Sequence, residues 1–292
     1  AVGAGFFSQR MNQLTCNARY MDEVERVLYN NVLTGVSLSG DKYTYQNPPN
    51  TDKPDRWEWH VCPCCPPMFL KIMAAMPGYI YAYQGDNVYV NLFIGSEVRI
   101  PVGDNSVRLK QLTSYPWHGA VSIQVNPDKA STFSMKVRIP GWAQGTENPY
   151  DLYQSNLKAP VKLKVNQEDV LLRIVDGYAE INREWKKGDH IELELPMQPR
   201  LITANKAVEN LRGQVALASG PIIYCFEDAD NPELQTFKLQ AQTPLELSHD
   251  SNLLNGVNII KCQGDIPAKA IPYYAVANRE ESHSYKVWIP QK

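Results

Sequence analysis

The chain changes its hydrophobic period once, near residue 79. Upstream, apolar positions recur at helical spacing. Tyr20, Val24, Val27, Leu28 and Val32 fall on one face, and Gly35 is placed to end the segment. The stretch "GFFSQRMNQL" before it predicts another helix, with Thr15 to Asn17 as the break. Residues 40–57 read as loop, because Pro48, Pro49 and Pro54 block regular structure. Pro66 and Pro67 then stand in a first helical turn, where a missing N–H costs least. "MFLKIMAAM" continues that short helix, and Pro77-Gly78 stops it.

From Tyr79 the period is two. "YIYAYQGDNVYVNLFIGSEVRI" predicts two strands around Gln84-Gly85-Asp86-Asn87. "TFSMKVRIPGW" alternates Phe133, Met135, Val137 and Ile139 against Ser134, Lys136 and Arg138, which predicts one buried face and one wet face. "GYAEINREWKKGDHIELELP" repeats the pattern in Ile191, Leu193 and Leu195, after Trp185 and a Lys187-Gly188-Asp189 turn. Strands continue after Pro199 in "QVALASGPIIYCF", "NIIKC", "IPYYAVANR" and "YKVWIP". Turn signals at short intervals favour antiparallel sandwiches over a parallel sheet. The expected fold class is α+β multidomain, with helices first and mainly antiparallel β-sandwich domains after them. Residues 1–77 carry the helices and a cysteine-bearing loop, 78–200 a β-sandwich, and 201–292 a second sandwich or returning strands.

Composition narrows the function classes. A net charge of -2 spread along 292 residues gives no electrostatic reason to expect a nucleic acid or a membrane surface. No stretch approaches the roughly 18 apolar residues that span a bilayer. "AVGAGFFSQR" lacks the basic start and apolar run of a secretory signal and reads as the middle of something helical. The chain is therefore expected to begin inside a larger protein.

The chemistry concentrates in "WEWHVCPCCPPMFL". Cys62, Cys64 and Cys65 lie together, whereas Cys16, Cys225 and Cys262 stand alone and read as small buried hydrophobes. A disulfide between neighbours 64 and 65 would need a strained ring, since their Cα atoms are only about 3.8 Å apart. Zinc accepts thiolates, but structural sites take four ligands. Three cysteines with His60 at no zinc-finger spacing do not make a self-contained finger. The adjacent pair does precede a helix, where unpaired N–H groups and the dipole favour anions. A thiolate held there can be a nucleophile, a ligand or both, and a buried structural cluster is the plainer alternative.

"CPCCPP" followed by a short helix and "GYIYAY…VYVNLFIGS" resembles glycoside hydrolase family 127, whose founding activity is β-L-arabinofuranosidase. The resemblance extends to "ERVLYNNVL", "YTYQNP", "VRIPGWA", "GPIIYC" and the closing "AIPYYAVANR…VWIP". It implies an (α/α)₆ barrel followed by β-sandwiches, with this chain holding the last barrel helices. It implies that Cys64 is the nucleophile and that Cys64 and Cys65 bind zinc. It also implies that Glu25 contacts sugar hydroxyls and that Tyr45 lines the site. Cys62 matches a further family cysteine that is not a usual ligand, and Met68 departs from the Asn of many relatives. The general-acid Glu and a Glu-x-Cys motif that completes the zinc shell are implied upstream of the matching segment, so the chain alone is expected to be inactive.

Read without the family, Glu25 forms an ordinary salt bridge and Tyr45 packs as a loop aromatic. Two other functions compete with the glycosidase. One is a non-catalytic carbohydrate-binding protein in which Trp117 or Trp142 stacks on sugars, although core burial is the plainer fate of both. The other is a zinc-structural β-sandwich module. In every reading no nucleic acid or membrane partner is expected, and the glycosidase takes a carbohydrate substrate. Reduced thiols fit a cytoplasm and metal-bound ones survive elsewhere, which leaves cytoplasm and periplasm both open.

Overall fold

The computed structural model describes residues 1–264 and 266–292. Helix α1 spans Val2–Thr15 and ends where Cys16 turns left-handed at φ 52. Helix α2 spans Arg19–Val27 and runs on through a π turn, Leu28–Val32, and a 3₁₀ turn, Leu33–Gly35. Helix α3 spans Cys65–Ala75, with Cys64 at its N-cap and prolines in its first turn. The apolar stripe expected on α2 and its π turn packs inward: Met21, Val24, Leu28 and Val32 share a core with Ile72 of α3, with Met76 just after it and with Leu92.

The β-region opens with a sandwich. One sheet has six strands in the order Glu168–Asp169, Lys162–Val165, Asp189–Glu194, Ala120–Pro127, Asn105–Thr113, Ser96–Val102. The facing sheet has five, in the order Ile174–Val175, Tyr178–Trp185, Ser131–Arg138, Asn87–Val90, Tyr81–Gln84. Pairing is antiparallel except that Asn87–Val90 runs parallel to Ser131–Arg138. The expected hairpin forms, with Gln84 opposite Asn87 and Gly85 at φ 56. Phe133, Met135, Val137 and Ile139 point into the core with Trp185, Ile191, Leu193 and Leu195, as their alternation predicts.

The opposite face of Ser131–Arg138 is wet only in part: Thr132 is exposed and Lys136 half-buried. Ser134 and Arg138 are buried, and Arg138 is 0% exposed. The reason is tertiary: α1 and α2 lie over the outer face of the five-stranded sheet. Asn12 of α1 donates to the Tyr178 hydroxyl, and Asp22 of α2 pairs with Arg138. Period-two alternation separates two faces, but it does not reveal whether water or a helix covers the second one.

The remaining strands join in one ten-stranded sheet. Both its faces are covered. Val215, Leu217, Tyr224 and Phe226 enter one core, while Ala216, Ala218 and Cys225 enter the other. Two outlying segments join it: Tyr153–Ser155 at one edge, and Asn50–Thr51 from the loop before the cysteines, paired with Tyr285–Lys286. Cys225 and Cys262 are buried as expected, whereas Cys16 is only half-buried. Burial pushes the Cys262 thiol up to about 12 and raises that of Cys225 well above its ordinary value. Neither is suited to chemistry. Among the described residues no helix is long and apolar enough to cross a membrane.

Candidate active site

The cysteine loop and the residue 43–57 loop face each other across a cavity of about 400 Å³. That size falls within the range of small-molecule sites. Cys64, Cys65, Met68 and Phe69 line one side; Tyr43, Thr44, Tyr45 and Asn47 line another; Asn31 and Val32 of the π turn lie between. The two sulfurs, both in exposed residues, are 3.8 Å apart. Two thiolates on one tetrahedral zinc, each at about 2.3 Å, would be separated by about that distance. The pair therefore fits a shared metal, although among the described residues no group of three or more His, Cys, Asp or Glu is placed to hold one. Cys62 stays outside the cavity wall, where its backbone N–H donates to His60 Nδ1.

Tyr45 faces the thiols. Its hydroxyl is shielded from solvent and has no hydrogen-bond partner. That shielding, followed by negative charge on Cys65, Cys64 and Cys62, raises the phenol above its ordinary 10.0. A shielded hydroxyl without a partner is uncommon in folded proteins. The ring is held by a stack: His60 lies 4.0 Å from Tyr45 and 4.9 Å from Trp57, centroid to centroid. Paired backbone bonds between Tyr43 and Trp57 close the loop beneath it.

Glu25 is elsewhere. It is 2% exposed and does not line this cavity. Arg138 Nη2 and the Tyr115 hydroxyl donate to its Oε1, and Trp142 Nε1 and Arg138 Nη1 to its Oε2. Arg138 also binds Asp22 at 2.6 Å and donates to the Asn91 carbonyl. Burial would lower the Arg138 guanidinium, but the Glu25 and Asp22 carboxylates raise it. Asp22 is itself raised by burial, against the pull of Arg138. The plainer expectation for Glu25, a salt bridge, describes its surroundings. This cluster fastens α2, and through it the Asn31 and Val32 wall, to the sandwich.

Three family models match in order along the chain. They are "Beta-L-arabinofuranosidase, GH127 catalytic domain" over residues 1–78, the corresponding middle domain over 87–197, and "Glycoside hydrolase family 127 C-terminal domain" over 199–290. The chain belongs to glycoside hydrolase family 127. Solved family 127 structures share its fold. A β-arabinofuranosidase superposes with TM-score 0.94 at 34% identity, covering 100% of this chain and 48% of that one. A β-L-arabinofuranosidase from Geobacillus stearothermophilus gives 0.90 at 33%, covering 100% and 49%. The non-reducing end β-L-arabinofuranosidase of Bifidobacterium longum subsp. longum is 29% identical over 96% of this chain and 47% of its own length. The chain thus spans about half the length of these family 127 relatives. Every residue lining the thiol cavity lies in the part matched by the family's catalytic domain.

Sequence reading found Cys64, Cys65 and Tyr45, which the structure brings together. It missed the Trp57–His60 stack, Asn47 and the π-turn wall. "WEWH" beside the cysteines was the available signal for the stack. Nothing local marks the loop's anchor. Arg56 donates to the carbonyls of Thr34, Val276 and Ala277, and Tyr273 and Tyr285 donate to the Pro48 carbonyl. The C-terminal sheet therefore holds the loop that carries Tyr45.

Proposed function

We propose that this chain forms part of a retaining glycoside hydrolase that cleaves a pentofuranoside such as a β-L-arabinofuranoside, with Cys64 as nucleophile. The observation that carries the reading is the exposed thiol pair facing an unpartnered tyrosine hydroxyl across a sugar-sized cavity. Retaining glycosidases usually use two carboxyl groups, one of which attacks. Among the described residues the lining of this cavity offers two thiols and no carboxylate.

In this reading Cys64 Sγ attacks the anomeric carbon. A C–S bond forms as the glycosidic C–O bond breaks, and the leaving oxygen takes a proton from a carboxylic acid. That acid belongs to the part of the family's length that this chain does not span. Water, deprotonated by the same group, then attacks the anomeric carbon and the sulfur leaves as thiolate. The Tyr45 hydroxyl gains a partner by bonding a sugar hydroxyl, which favours a polar ligand over an apolar one. Cys64 and Cys65 would together hold zinc, which when bound keeps thiolates deprotonated. Met68, half-buried in the wall, contributes an apolar contact and influences which pentose is accepted. The test is turnover of an aryl β-L-arabinofuranoside by the protein carrying this chain. Cys64→Ser is expected to abolish it with the fold intact, and normal turnover by that variant would overturn the assignment.

A further inference from the structure

Among the described residues the Tyr45 hydroxyl has no partner, so its place at the thiol cavity is set by the loop that carries it. The two arms of that loop meet at one acceptor. The Thr34 carbonyl takes the Thr44 hydroxyl at 3.1 Å and Arg56 Nη1 at 3.1 Å, and Thr34 is 1% exposed. Arg56 also reaches the C-terminal region, where its Nη2 donates to the Val276 carbonyl at 2.8 Å and its Nε to the Ala277 carbonyl at 3.1 Å. We propose that Glu227, which lines no part of the cavity, is a positioning residue for Tyr45, acting through the Val276–Ala277 peptide group and Arg56. What the hydroxyl is positioned for, a sugar hydroxyl, rests on the glycosidase reading.

The peptide group joining Val276 to Ala277 lies between opposite charges. Its C=O accepts from the Arg56 guanidinium, and its N–H donates to Glu227 Oε1 at 2.6 Å. The C=O and N–H of a trans peptide point in opposite directions, so each end of the group's dipole meets the charge that favours it. Glu227 closes the strand Ile222–Glu227 and is 0% exposed, so water does not screen it. Burial pulls the Arg56 guanidinium down to about 10, opposed by Tyr285, then by the Glu227 carboxylate and by Tyr273.

Ala277 is kept at φ 56, a conformation that a non-glycine residue seldom adopts. Such a conformation persists only where its surroundings fix it. Removing the Glu227 charge frees the peptide group to rotate, which lets Ala277 relax and draws the Val276 carbonyl away from Arg56. Arg279, the other partner of Glu227, also donates to Asp230 at 2.6 Å and keeps that bond. The perturbation therefore runs toward Arg56 rather than into the sheet. From Arg56 it passes to Trp57, which pairs with Tyr43 through two backbone bonds and stacks on Tyr45 with centroids 5.9 Å apart.

Hydrogen exchange read by mass spectrometry, in the protein carrying this chain, compares Glu227→Gln and Arg56→Met with wild type. Glu227→Gln keeps an oxygen for the Ala277 N–H and removes the charge. Peptides covering residues 43–57 are expected to exchange about tenfold faster in Arg56→Met and about fivefold faster in Glu227→Gln, the scale of one lost hydrogen bond. Peptides covering Val257–Cys262 of the same sheet are expected to keep the wild-type rate. The double variant should exchange no faster than Arg56→Met alone, because the two residues act in series. Wild-type exchange at 43–57 in Glu227→Gln overturns the proposal. So does equally faster exchange at Val257–Cys262, the mark of a merely structural residue. Turnover of an aryl β-L-arabinofuranoside then tests the link to Tyr45. KM is expected to rise about fivefold in Glu227→Gln with kcat nearly unchanged, and not to rise further when the change is made in Tyr45→Phe. A rise that persists in Tyr45→Phe overturns the route through Tyr45. If wild type turns over no such substrate, the glycosidase reading falls and the exchange rates alone decide whether Glu227 positions the loop.

Discussion

Replacing Arg138 with methionine removes the one cation buried between Asp22 and Glu25, and with it the guanidinium over the Phe93 ring, while keeping an unbranched side chain in its place. The arginine is 0% exposed and Glu25 is 2% exposed, so water cannot replace the lost partner at Glu25. Breaking a buried pair from one side costs about 3–5 kcal/mol, because the remaining charge is left uncompensated. Asp22, with 20% of its side chain exposed, adds little to that cost. Glu25→Gln in the same background removes the stranded charge and keeps hydrogen-bonding groups for Tyr115 and Trp142. The double variant should therefore recover about 2 kcal/mol relative to the sum of the single changes. Denaturant unfolding followed by circular dichroism and tryptophan fluorescence measures all four corners of the cycle. A cost below about 1 kcal/mol for Arg138→Met, or strict additivity, would refute the view that this cluster fastens α2 to the sandwich.

Two further outcomes follow from the site and its support. Burial acts to raise Asp230, but hydrogen bonds from Arg279 and Lys269 outweigh it and hold the carboxyl below 3.8. The native state therefore releases this proton at lower pH than the unfolded chain. Its stabilisation is complete above about pH 4 and is lost as pH falls through the lowered native value, so Asp230→Asn should flatten the unfolding curve in that acid window and nowhere above it. Cobalt(II) loaded into the protein carrying this chain should give thiolate-to-metal absorption that weakens in Cys65→Ser. An unchanged spectrum would remove Cys65 from the ligand set.

Much of the fold was legible because its signals are local. The helical stripe of α2, the prolines opening α3 and the alternation of Phe133, Met135, Val137 and Ile139 each record a burial pattern in neighbouring residues. The thiol pair was legible for the same reason. The partnership of Arg138 with Glu25 was not legible, because it depends on which layer covers the outer sheet face and joins positions 113 residues apart. The hold of Tyr273 and Tyr285 on Pro48 spans still longer separations, 225 and 237 residues. Periodicity carries no trace of such pairings, yet they position the Tyr45 loop.

The central claim is that Cys64 attacks a sugar carbon from the thiol cavity. Rapid quenching of the protein during turnover of an activated aryl β-L-arabinofuranoside, followed by peptide mass spectrometry, tests it most directly. The account predicts one dehydrated pentose attached to the peptide bearing Cys64, formed and lost at rates compatible with turnover and absent in Cys64→Ser. Turnover with no sugar on that peptide, or with the sugar on another residue, would contradict it.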